Sequence, residues 1–195
     1  MVHGTHNALA DERNEHIKIY INGEFFGRND AKISVFDSGY LVGDGIWEAL
    51  RLHDDVLVFI EDHLDRMWSV AKTIGINLGL SKAELIKEVR KILNINDMHD
   101  NVHVRIMVTR GIKKTPSQDP RLTISGPNIV IIPEYKVASV ATKKNGISLF
   151  TSTIRRGSPD YLDPKLNCHS KLHEVQALMQ AIEAGADEAL MLDVN

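Results

Sequence analysis

The hydrophobic period of this chain changes at Ile60, and that change sets what it can fold into. Before Ile60 the pattern is that of strands and tight turns. Ile17-Lys-Ile-Tyr-Ile21 alternates, Asn22-Gly23 is a strong turn signal and Glu24-Phe-Phe26 returns, so the first element is predicted to be a β-hairpin. Ile33-Ser-Val-Phe36 reads as another strand. Asp37 to Gly45 then carries three glycines in seven residues, which suits a turn whose backbone passes close to something. Ile46 to His53 is apolar apart from Glu48, Arg51 and the closing histidine. Asp54-Asp55 turns the chain, and Val56-Leu-Val-Phe59 returns.

From Ile60 the apolar residues fall at helical spacing. Ile60, Leu64, Met67, Trp68, Ala71 and Ile74 share a face and leave Glu61, Asp62, Asp65 and Lys72 to water, predicting an amphipathic helix that ends at Gly75. Ser81-Lys-Ala-Glu84 is a capping box, and Leu85, Ile86, Val89, Ile92 and Leu93 continue as the apolar face of a second helix. Val102 to Thr109 alternates as a strand, with Val102, Val104, Ile106 and Val108 on one face. The stretch Gly111 to Pro127 is a long loop of the kind that carries function or moves. Asn128-Ile-Val-Ile-Ile132 is an apolar strand stopped by Pro133.

The expected organisation is a loose tail over 1–15, an N-terminal α/β domain over 16–135, a polar linker over 136–146 and the first part of a second domain over 147–195. Ile147-Ser-Leu-Phe-Thr151 opens that second unit, and Gly185-Ala-Asp-Glu-Ala-Leu-Met-Leu192 closes it as a glycine stop and a buried strand. Two strands and one helix are too little to close a sheet with both faces covered. The unit is therefore expected to pair with another chain, or the sequence is a fragment.

Composition narrows the function classes. With 43% hydrophobic and 25% charged residues the chain is an ordinary globular protein, and a net charge of −3 offers no bulk attraction to nucleic acid or an anionic membrane. The single cysteine, Cys168, rules out an internal disulfide framework and fits a reducing compartment. With no signal-like start and no apolar run of membrane-spanning length, the expected location is cytoplasmic. His169 and His173 have ligand spacing on an expected helix, but no third metal ligand is evident. The stretch from Leu162 to Ala181 is the chemical focus, because it joins a strand-like run to an amphipathic helix and carries Lys165 and Lys171. A lysine leaving a strand at the mouth of an α/β site is where a protein holds an aldehyde cofactor as a Schiff base.

Asp37-Ser-Gly-Tyr-Leu-Val-Gly-Asp-Gly-Ile-Trp-Glu-Ala-Leu-Arg51, Asp62-His-Leu-Asp-Arg-Met67, Val108-Thr-Arg-Gly111 and Gly185 to Leu192 occur in this order. Together they resemble the class IV aminotransferases, the pyridoxal-phosphate fold type that includes branched-chain and D-amino-acid aminotransferases and aminodeoxychorismate lyase. The resemblance implies a two-domain α/β (α+β) fold of the D-amino-acid-aminotransferase kind, with only the start of the second domain present. It further implies pyridoxal 5'-phosphate as cofactor, an amino acid (branched-chain-like) and a 2-oxo acid as substrates, and a homodimer with the site near its interface. It assigns the cofactor phosphate to Arg66, and the substrate pocket to Tyr40 and Arg110. A guanidinium offers phosphate a planar fork, which agrees, although a helix arginine beside Asp62 and Asp65 also reads as a solvated charge. Trp47 and Glu48 match the family's aromatic and acidic pair, where strand packing is as good a reading as function.

Two departures stand against this. Similar proteins place the Schiff-base lysine a fixed distance before the final helix, and ungapped counting back from Ala181 and Gly185 puts Asn167 there, flanked by Lys165 and Lys171. Asparagine cannot form an imine. Either a shifted lysine does the job with Asn167 beside the cofactor, or the count needs a gap, or transaminase chemistry is lost. Lys171 is preferred to Lys165, because Cys168-His-Ser170 can open a helix whose amide ends suit a phosphate or carboxylate. Relatives also continue past the last strand into the rest of the cofactor cradle, and Thr115-Pro-Ser-Gln-Asp119 replaces the pair with which D-amino-acid enzymes hold a substrate carboxylate. The readings carried forward are an aminotransferase, an aminodeoxychorismate-lyase-like enzyme, and a degenerate or truncated relative.

Overall fold

Alternation before Ile60 becomes sheet, and helical spacing after it becomes two helices covering one face of that sheet. The computed structural model describes residues 10–137 and 139–194. In chain order β1 is Lys18–Ile21, β2 Glu24–Gly27, α1 Ser38–Val42, β3 Gly45–His53, β4 Val56–Val58, α2 Ile60–Thr73, α3 Lys82–Ile95, β5 Val102–Thr109 and β6 Asn128–Tyr135. Then follow α4 Val140–Asn145, β7 Leu149–Thr151, α5 Pro159–Leu162, α6 Leu172–Glu183 and β8 Glu188–Leu190. Asp11–Lys136 and Asn167–Ser170 form one compact unit, and the second draws its described residues mainly from Val137–Leu166 and Lys171–Asn195.

The first unit is an antiparallel sheet in the order β2-β1-β6-β5-β3-β4. Its register sorts side chains by face. Ile46, Glu48, Leu50 and Leu52 of β3 lie opposite Val108, Ile106, Val104 and Val102 of β5, and this set is buried, with α2 packed on β3 and α3 on the neighbouring β1 and β6. Leu64 and Met67 of α2 and Leu85, Val89 and Ile92 of α3 complete this core and are almost fully buried. Each such side chain contributes roughly 1.5–3 kcal/mol of transfer free energy. The other face carries Trp47, Arg105, Met107, Thr109, Val130 and Ile132. The capping box at Ser81 forms as its sequence predicts, with the Ser81 side chain accepting from Glu84 N and the Glu84 carboxylate accepting from Ser81 N.

The structure departs from the sequence expectations in several places. Ile33–Phe36 is irregular, because its apolar residues line a cavity and the surface instead of pairing along an edge. β6 runs through Pro133 to Tyr135; its pairing with β1 ends at Ile131, so the missing N–H falls where that partner has ended, as proline requires. The Asn14 side chain then completes the ladder, donating to Tyr135 O and accepting from Tyr135 N. Asn14 belongs to a short 3-10 turn, Glu12–Glu15, where a loose tail was expected. Residues 1–9 of that tail lie outside the described residues. The long loop contains a 3-10 turn at Pro120–Leu122, and the expected linker contains α4.

In the second unit β7 and β8 are parallel and α6 packs on them through Ala177 and Ala181. The Gln180 carboxamide oxygen accepts from the buried Ser152 hydroxyl at 2.7 Å, tying α6 to the end of β7. The last strand was expected to be buried, yet Leu190 and Leu192 are exposed. Among the described residues no helix is long and apolar enough to cross a membrane.

Candidate active site

Glu48 sits on the buried face of β3, among Ile46, Leu50 and Leu52, and is completely inaccessible to solvent. A carboxylate can occupy such a position only with charged or hydrogen-bonding partners. Arg66 of α2 supplies two of them: Nε donates to Oε1 at 2.5 Å and Nη2 to Oε2 at 2.6 Å. His63, one turn earlier, donates from Nδ1 to Oε2 at 2.8 Å. The hydrogen bond to Glu48 raises the pKa of Arg66 further above its already high ordinary value. The pair holds the guanidinium by one edge and turns its Nη1 edge away from Glu48, while the Arg66 side chain stays 52% exposed. The resulting group is a fixed cation with N–H donors still directed outward, a geometry that suits a second anion.

A second carboxylate is buried at the turn before β3. Asp37 caps α1 through Gly39 N, and its Oδ2 accepts from the Thr109 hydroxyl and the Asn128 amide, each at 2.6 Å. It lies at the polar end of a cavity of about 360 Å³ whose other walls include Ile19, Ile33, Met107 and Ile132. Tyr40, expected to line the substrate pocket, is on the rim of this cavity and is 74% exposed.

The free edge of β3 is covered by the short segment 167–170. Trp47 N donates to Asn167 O, Asn167 Nδ2 donates to Trp47 O at 2.7 Å, and His169 N donates to Gly45 O. Crowding by His169 and by β5 together explains two glycines. A Cβ on Gly45 would lie 2.7 Å from His169 Nδ1 and 2.8 Å from Val108 O, and one on Gly39 would lie 2.5 Å from Thr109. The His169 ring lines the cavity and donates from Nε2 to Ile46 O at 3.1 Å; burial pushes its pKa below the ordinary histidine value. Trp47 donates from its ring to Cys168 O, and the Arg105 guanidinium stacks over it at 4.4 Å.

These positions change the reading of the expected site residues. Asn167 is committed to strand pairing with Trp47. Cys168-His-Ser170 does not open a helix; it extends the β3 edge, and α6 starts later, with Lys171 as its N-cap and no side-chain cap bond. His169 and His173 therefore do not share a helix face. Lys171 Nζ is 3.3 Å from Glu174, which also holds Arg156, and Lys165 is exposed beside Asp163. Arg110 was assigned to substrate. Its guanidinium is instead held by Asp44 through Nε and Nη2 and caps the end of α2 by donating to Ile74 O and Gly75 O. That is a structural task, favoured by the negative end of the helix. In the sequence Asp37 is visible only as the start of the glycine-rich turn, and His169 only through a spacing to His173 that the fold does not use. Glu48 does carry one, since a lone acid within an alternating apolar strand signals a buried partner.

A family model for class IV amino-transferases matches residues 45–195, and the chain belongs to that family. It is 38% identical over 179 residues to a putative branched-chain-amino-acid aminotransferase of Methanocaldococcus jannaschii, covering 91% of this chain and 60% of that protein. Its fold matches the branched-chain amino acid aminotransferase from Escherichia coli at a TM-score of 0.79 and 20% identity, covering 92% of this chain and 59% of that one. It also matches 4-amino-4-deoxychorismate lyase of Pseudomonas aeruginosa at a TM-score of 0.70 and 24% identity, covering 90% and 61%. The chain thus spans about 60% of the length of these proteins.

Proposed function

We propose that this chain carries the N-terminal domain and the start of the cofactor domain of a pyridoxal-phosphate-dependent aminotransferase that moves an amino group between a branched-chain-like amino acid and a 2-oxo acid. The observation that carries the proposal is the class IV match over residues 45–195. When bound, the cofactor supplies an electron sink for the substrate's α-carbon. The phosphate end fits the residues present: Arg66 offers an anchored, half-exposed guanidinium. Lys171, or Lys165, is the residue proposed to carry the cofactor aldehyde and to move the α-proton. For Lys171 that means release from its ion pair with Glu174, since only an unprotonated amine is a nucleophile. Tyr40 closes one side of the substrate space from the cavity rim.

Borohydride reduction of the protein with pyridoxal phosphate, followed by peptide mapping, tests this. Label on Lys171 or Lys165 supports the enzyme reading and selects the residue. No label on any lysine, with the cofactor spectrum absent, supports the second reading, a degenerate relative, which the commitment of Asn167 to Trp47 favours.

A homodimer in the cytoplasm completes the proposal. Ile33, Val35, Phe36, Tyr40 and Val42 form an exposed apolar stretch on the sheet unit, of the kind that marks protein interfaces, and the only cysteine, Cys168, is buried and unpaired. A monomer by light scattering would count against the dimer.

A further inference from the structure

We propose that Glu48 is the positioning residue of the anion site made by Arg66: it fixes the guanidinium by one edge so that the opposite edge presents a preset fork to a phosphate group. The inference rests on the phosphate reading of Arg66 and goes beyond it, since it assigns the geometry of that site to a carboxylate that touches no ligand.

Three observations carry it. Glu48 is fully buried on β3, which pairs with β5 from Gly45 to Leu52, so its backbone is fixed and the surrounding core leaves its side chain little room to move. Both oxygens are used on the Arg66 fork, and the His63 ring takes a further lone pair of Oε2, which leaves the carboxylate no other orientation. Arg66 itself is half exposed on a helix surface, where an unheld arginine would sample many rotamers. Holding it beforehand removes that ordering cost from the binding step. Glu48 also acts in the opposite sense, because its negative charge weakens the attraction of Arg66 for an anion. Orientation outweighs neutralisation here, and the two effects predict opposite signs.

The test is isothermal titration of the full 195-residue chain with pyridoxamine 5'-phosphate and with pyridoxamine, which differ only in the phosphate and need no lysine linkage. The ratio of the two affinities isolates the phosphate contact. Glu48→Gln is expected to lower that ratio by about tenfold, because the carboxamide NH2 opposes the arginine N–H groups, while pyridoxamine affinity stays the same. Glu48→Asp, which keeps the charge on a shorter arm, is expected to fall between the two and serves alone if the glutamine variant does not fold. A purely structural Glu48 would lower the melting temperature and leave the ratio untouched. An unchanged or increased ratio in Glu48→Gln overturns the proposal. If instead Arg66→Ala leaves the ratio at its wild-type value, or wild type shows no preference for the phosphate, the reading of Arg66 itself fails and takes this inference with it.

Discussion

Arg66→Ala should destabilise the sheet unit well beyond what loss of a helix-surface side chain costs. The substitution leaves the Glu48 carboxylate, which has no solvent access, with the His63 ring as its remaining side-chain partner. Removing one member of a fully buried ion pair costs about 3–5 kcal/mol, because the other charge stays behind uncompensated. Here the figure is reduced, since the Arg66 side chain is 52% exposed and water can enter the space it vacates. A loss of about 2 kcal/mol is the expected result. With a urea slope of about 2 kcal/mol per molar, the midpoint falls by about 1 M. The transition is followed by tryptophan fluorescence, as both tryptophans, Trp47 and Trp68, lie in this unit. The double variant Glu48→Leu with Arg66→Met removes both charges and should recover to within about 1 kcal/mol of wild type, as apolar replacements of buried pairs do. A loss of less than about 0.5 kcal/mol in Arg66→Ala would place the pair among ordinary surface salt bridges and refute the reasoning.

Acid should act on the same unit through His169. Burial keeps its folded pKa below the ordinary value of about 6.5, so on acidification the unfolded chain takes up the proton first; the stabilisation is complete above about pH 6.5 and is lost as pH falls toward the folded pKa. His169→Gln keeps a donor for Ile46 O, and its stability relative to wild type should rise between about pH 7.5 and 5.5; a difference that stays constant over that range by urea titration would sink the argument. His53 and His99, raised by their carboxylate partners, titrate in the opposite sense, but they are present in both proteins and cancel in the comparison. Gly45→Ala should cost about 1–3 kcal/mol, because its methyl group would meet Val108 O, a backbone atom that cannot swing aside, whereas Gly126→Ala meets nothing within 4 Å and serves as the control.

The elements most legible in the sequence are those whose own residues decide them. The capping box at Ser81 and the alternation of Val102 to Thr109 specify a helix start and a strand without reference to distant partners. Ile33 to Phe36 has the apolar residues of a strand, and only the fold shows that Ile33 lines a cavity while Val35 and Phe36 face the surface. Lys165 and Lys171 are visible as candidates from composition and spacing. What separates them structurally, an exposed position beside Asp163 against an N-cap position paired with Glu174, depends on the folded chain. Arg110 is legible as a functional type of residue and not as a helix cap, since Ile74 and Gly75, whose carbonyls it holds, are distant in sequence.

Asn167 shows how sequence and fold constrain each other at β3. Three requirements converge on the strand between Gly45 and Glu48. One face buries a carboxylate that holds Arg66, the other places Trp47 beneath Arg105, and the edge must satisfy the backbone groups of Gly45 and Trp47 that β4 does not reach. Asn167 and His169 meet the third requirement with main-chain groups, and the Asn167 carboxamide adds a donor to Trp47 O at 2.7 Å. A lysine at 167 could supply the same main-chain bonds, but its flexible side chain would not reproduce that short carboxamide contact. The asparagine thus serves the strand it covers. Asparagine at this place serves edge pairing, and mapping the reduced cofactor decides whether a flanking lysine, Lys165 or Lys171, carries it.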